Sequence, residues 1–149
     1  MGRKKARDNA FKCVYQMGFE NCNGVDKILE FCYDENLNDE EEKEYIEKVV
    51  YGINDNIKAI DEIILSKLKN WSIQRIAKVD LAILRIAIYE LQYMDEVPVK
   101  VSANEAVELA KTYGNNNSKS FVNGVIAKVI ENKKGKDEAW WKKFIVYHN

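Results

Sequence analysis

VDLAILRIAIYELQYM, residues 79–94, is apolar on nearly every side when wound as a helix. A helix without a polar face belongs in the middle of a bundle, shielded from water by its neighbours. No apolar run in the chain approaches the roughly 20 residues needed to span a bilayer, so this stretch reads as a core. Upstream, Ser72 can start a short helix, and Asp80 stands where it can cap a break before the central one.

Further upstream, Ile46, Val49, Ile53, Ile57, Ile60, Ile64 and Leu68 recur at steps of three and four. That period predicts one face of a single long helix. Asn38 or Asp39 can cap its start, with Glu41 or Glu42 as reciprocal partner, and Gly52 marks a bend or a close contact. The N-terminal part predicts a helix from about Lys5 to Met17, with Ala6, Ala10, Cys13, Val14 and Met17 inward, then a small one around Val25 to Cys32.

Downstream, Pro98 forces a connector, and Ser102 with Glu105 reads as a capping box. Ala103, Ala106, Val107, Ala110 and Tyr113 continue that helix, which Gly114 ends in a left-handed conformation. Asn117 or Ser118 caps the next helix, whose stripe is Phe121, Val122, Val125, Ile126, Val129 and Ile130. No segment alternates as a strand does. With 1 proline and 7 glycines, the chain lacks the turn residues of a sandwich or a doubly wound sheet. The expected fold is all-α: a compact helical bundle of about six or seven helices, built as one domain from 149 residues.

Catalysis is hard to assemble from these residues. The single histidine, His148, stands next to the C-terminus, and there is no cysteine–histidine metal spacing and no nucleophile elbow. The acidic run at residues 39–42 suits the positive end of a helix dipole. Gly114 to Ser120, GNNNSKS, lacks the second glycine, the spacing and the preceding strand of a phosphate-binding loop. The chain is therefore expected not to be an enzyme and to need no cofactor or metal. Cys13, Cys22 and Cys32 are odd in number and follow no export signal, which predicts reduced thiols and a cytoplasmic location.

A formal net charge of −1 conceals strong segregation. Arg3, Lys4, Lys5, Arg7 and Lys12 face Asp8 alone in the first dozen residues, and residues 20–62 are acidic. Cations at a helix start oppose its dipole, so stability does not ask for them there. Two readings stay open: a solubilising terminus, or an arm that neutralises RNA phosphates. Tyr15 and Phe121 can stack on bases or pack in the core. In the tail, Trp140, Trp141, Phe144 and Ile145 lie opposite Lys142 and Lys143, as in a short helix docked on the body or an anchor for a membrane surface or partner.

Four stretches, in order, carry a family resemblance: RKKARDNAFKCVYQ, WSIQRIAKVDLAILRIAIYEL, VPVKVSANEAVELAKTYG and SKSFVNGVIAKV. From about Arg3 to Val129 the chain resembles the NusB transcription antitermination factors. The resemblance implies an RNA-binding domain over residues 1–131, with residues 132–149 as an extension that it does not cover. It implies binding to boxA-type leader RNA of ribosomal RNA operons, within the transcription elongation complex. It also implies a heterodimer with NusE, a ribosomal protein that doubles as an antitermination factor. By position, Arg3, Lys4, Lys5 and Arg7 match the family's arginine-rich RNA-contacting start. Asn117, Ser118, Lys119 and Phe121 match its second RNA-facing segment, and Tyr15 and Asp80 match positions used toward NusE. Lysine replaces arginine at two positions of the arm, which weakens forked contacts. Two other readings compete. One is an RNA-recognition module like those on ribosomal RNA methyltransferases, for which no cofactor domain is present. The other is a homodimeric interaction protein without RNA affinity.

Overall fold

The computed structural model describes residues 3–19, 24–33 and 39–131. Asn38, Cys22 and the whole segment 132–149, with Trp140, Trp141 and His148, lie outside the described residues. Within them the chain forms seven α-helices, α1 (Arg3–Met17), α2 (Val25–Cys32), α3 (Glu40–Asp55), α4 (Ile57–Ser66), α5 (Lys78–Tyr93), α6 (Val99–Tyr113) and α7 (Ser118–Glu131), plus one 3-10 turn, Ile73–Arg75. The all-α bundle is as expected from the sequence.

Helix α5 is the axis of the bundle. Every residue from Asp80 to Leu91 is buried, and α1, α3, α4, α6 and α7 all pack against it. The predicted helix after Ser72 is only the 3-10 turn, and Ala77 precedes α5 as its cap residue. Asp80 is therefore not a cap. It lies inside the first turn, where its charge meets the positive end of the helix dipole.

The long helix expected over residues 46–68 is two helices sharing one stripe. Ile46, Val49 and Ile53 on α3 and Ile60 and Ile64 on α4 are all fully buried. Between them Asn56 leaves helical geometry at φ −117°, ψ 21°, and its side-chain amide donates to the Gly52 carbonyl at 2.8 Å. An asparagine that bonds its own preceding turn offers the backbone an exit that periodicity does not show. Gly52 marks a close contact: a Cβ there would stand 2.3 Å from the Tyr89 ring of α5.

Several local expectations change for similar reasons. Asp39 does cap α3, accepting from the Glu41 N–H at 2.9 Å. Ser102 is no cap, because α6 starts earlier, at Val99, with Pro98 before it. Gly114 ends α6 in an extended conformation (φ −91°, ψ −177°) and not a left-handed one. A glycine is needed there because a Cβ would meet the Ser118 Cβ at 2.3 Å. Cys13 is fully buried and disulfide-bonded, which corrects the expectation of free thiols at that position.

Candidate nucleic-acid interface

The basic start of the chain divides in two. Lys4 and Lys5 on the first turn of α1 are exposed, and Lys4 comes no nearer than 3.9 Å to Glu105 of α6. Arg3 opens the helix. Arg7, one turn on, faces inward and is 4% exposed. Its guanidinium forks onto Glu90 of α5, Nε to Oε2 at 2.9 Å and a terminal nitrogen to Oε1 at 3.1 Å. This corrects the reading of Arg7 as part of an exposed arm, since its guanidinium is buried and forked onto Glu90.

Glu90 explains why. A carboxylate that is 1% exposed on the bundle axis demands partners, and it receives them from three helices besides its own. The Tyr45 hydroxyl of α3 donates to Oε2, and the Ser102 hydroxyl of α6 donates to Oε1 at 2.7 Å. The Arg7 guanidinium also lies 5.7 Å from the centre of the Tyr45 ring. Burial alone would lower the Arg7 pKa, but the hydrogen bond and charge of Glu90 more than offset that and hold it above its ordinary value. Arg7 thus ties α1 to the axis and fixes where Lys4 and Lys5 point.

The second predicted segment also divides. Ser118 is 1% exposed. Its hydroxyl accepts from the Asn115 N–H at 3.0 Å, while the Asn115 side chain accepts from the Asn117 N–H at 2.8 Å. Ser118 therefore braces the loop from inside and presents nothing to a ligand. Asn117 is exposed, and Lys119 and Phe121 are half-buried at the start of α7. Of the two roles that its sequence left open, the fold shows packing: Phe121 lies against the core and meets Trp71, ring centres 5.6 Å apart, with part of its surface still exposed.

Helices α1 and α6 touch at two points in the same order along each, Lys4 toward Glu105 and Phe11 stacked on Tyr113 at 4.6 Å. Tyr113 leads directly into the braced loop. At 1.5 Å per residue, Lys4 stands about 10 Å from the level of Phe11.

Tyr15 near the end of α1 approaches the start of α5, which carries Asp80, through two residues that sequence reading did not single out. The Tyr15 ring meets Phe19 edge-on at 5.1 Å, and the Lys78 ammonium lies 5.3 Å from the centre of the Phe19 ring. Lys78 opens α5, two residues before Asp80. Asp80 is 7% exposed, and its Oδ1 has no hydrogen-bond partner among the described residues. A buried carboxylate oxygen left open at a helix start suits a donor arriving from outside. Among the described residues no cluster of His, Cys, Asp or Glu is placed to hold a metal, and no helix is long and apolar enough to cross a membrane.

Proteins of known identity share this fold. The chain is 43% identical over 129 residues to the transcription antitermination protein NusB of Ruminiclostridium cellulolyticum, covering 87% of this chain and 88% of that one. It superposes on NusB of T. maritima with a TM-score of 0.82 at 36% identity, over 88% of this chain and 92% of that one. A crystal structure of the antitermination factors NusB and NusE in complex with dsRNA matches with a TM-score of 0.80 at 28% identity, over 87% and 96% of the two chains. The NusB family matches residues 4–131, and with the fold and these relatives in agreement, the chain belongs to the NusB family of transcription antitermination factors.

Proposed function

We propose that this chain is a cytoplasmic, non-catalytic RNA-binding antitermination factor that grips boxA-type leader RNA of ribosomal RNA operons together with NusE, within the transcription elongation complex. The observation that carries the reading is the stacking of Phe11 on Tyr113, which links the helix bearing the exposed lysines to the braced loop before α7. Lys4 and Lys5 are exposed on that helix, and exposed Asn117 and half-buried Lys119 and Phe121 follow the loop. Cations pair with phosphates, and amide and aromatic groups meet bases that are not paired to each other. We assign Tyr15, Phe19, Lys78 and Asp80, at the end of α1 and the start of α5, to NusE. The related complex of NusB, NusE and dsRNA supports the pairing of partners.

Migration of a labelled leader RNA on a native gel tests the reading. The chain should retard it, and more strongly once purified NusE is added. RNA that runs free in both lanes would refute it.

A further inference from the structure

Residues 67–79, KLKNWSIQRIAKV, contain Lys67, Lys69, Arg75 and Lys78 and no acidic residue. Residues 109–130, which include the braced loop and most of α7, contain Lys111, Lys119 and Lys128 and again no acidic residue. The fold lays these two segments against each other at two points. Trp71 meets Phe121, and the Lys128 ammonium donates to the Lys67 carbonyl at 3.3 Å. In a chain whose formal net charge is −1, that is a local concentration of cations.

Trp71 is held at the surface of this region. It is 39% exposed, and Asn70 before it adopts φ 58°, a left-handed conformation that turns the chain just ahead of the indole. The Arg75 guanidinium lies 5.5 Å from the centre of its ring. Arg75 is itself exposed, and none of the ion pairs among the described residues engages it. A single exposed tryptophan is ordinary. One backed by a second aromatic ring, topped by an uncommitted guanidinium and set in an acid-free basic segment has the parts of a nucleobase platform.

We infer that Trp71 and Arg75 extend the RNA site beyond Phe121 and take one further unpaired nucleobase. The inference rests on the proposed RNA-binding function. In the free chain Arg75 covers the indole. When RNA arrives, a base takes that place on the ring and Arg75 moves to the adjoining phosphate. An exposed cation–π contact is weak enough to be exchanged in this way. The ligand is single-stranded RNA, because a paired base does not offer its face to a side chain.

The test uses the full chain and a labelled single-stranded boxA-type RNA, with the same RNA annealed into a duplex as a second probe. Trp71→Leu should weaken single-strand binding about fivefold to 100-fold, the scale of one lost base–aromatic stack. Trp71→Phe, which keeps an aromatic face, should recover most of it. Arg75→Gln, at an exposed position, should leave the melting temperature unchanged and reduce the magnitude of the log–log salt slope by about 0.7. Duplex binding should not respond to Trp71→Leu. Wild-type affinity in both Trp71→Leu and Arg75→Gln would overturn the inference. So would a Trp71→Leu defect confined to NusE binding, which would make the patch a protein contact. Failure of the wild-type chain to bind RNA, alone or with NusE, would instead remove the proposed function and the inference with it.

Discussion

Arg7 and Lys4 stand three residues apart in one basic run, yet they do opposite work. Lys4 projects into solvent, whereas Arg7 turns inward to neutralise Glu90. Replacing one member of a buried ion pair leaves the other charged and unpartnered, which typically costs about 3–5 kcal/mol. Arg7→Ala should therefore lower stability on that scale, as read by urea unfolding. A loss of RNA affinity without a loss of stability would return Arg7 to the surface arm. Asp80 calls for the reverse expectation, since no hydrogen bond occupies its Oδ1 among the described residues. Asp80→Asn should keep the melting temperature and the RNA affinity of the isolated chain. Its affinity for NusE should fall by about 1–3 kcal/mol, the scale of a charge-assisted hydrogen bond, in a calorimetric titration. Unchanged NusE affinity would leave Asp80 as a favourable charge at a helix start and no more.

At the level of helices, glycine and asparagine decide how elements meet. Helix α3 can approach α5 only because Gly52 has no side chain, since a Cβ would overlap the Tyr89 ring. Gly52→Ala should destabilise the fold by about 1–3 kcal/mol, the usual cost of overpacking. The loss should shrink when Tyr89→Leu removes the ring, because residues in contact do not act additively. Equal losses in both backgrounds, measured by thermal unfolding, would show that the contact does not set the spacing. Phe121 joins α7 to the segment before α5 through Trp71. Full burial of a phenylalanine is worth about 3–5 kcal/mol on truncation, so half-buried Phe121→Ala should cost less than that in stability and weaken RNA binding as well. A purely structural effect would remove Phe121 from the RNA site, and a purely binding effect would show that its packing contributes little.

Across the whole molecule, net charge is a poor guide and its arrangement a good one. Four cations at the start would each contribute about 0.7 to the salt slope of single-strand binding if all of them met phosphates. Burial of Arg7 removes it from that sum. Changing Lys4 and Lys5 together to Gln should reduce the magnitude of the slope by about 1.4, while Arg7 substitutions should leave it unchanged wherever the protein still folds. An unaltered slope in the double lysine variant would mean that RNA binds elsewhere on the bundle.

Helix existence was legible in the sequence because periodic burial is written one residue at a time. The stripes of α3, α4, α6 and α7 and the all-round apolarity of α5 needed nothing but spacing, and so did the prediction of an all-α bundle. The segregated cations of α1 and the family pattern were legible in the same way. Breaks and buried charges were not. Asn56 splits a continuous stripe through a hydrogen bond to its own helix, and Ser102 looks like a cap until Glu90 is seen beside it. Arg7 looks like an arm residue until the fold brings it to a carboxylate 83 positions away. The Trp71–Arg75 pair was not singled out in the sequence, and only the fold set Phe121 against it. Local pattern determines which faces are apolar, because that depends on neighbours in sequence. Which polar groups remain for a ligand depends on what the rest of the chain has already engaged, and only the tertiary structure decides that.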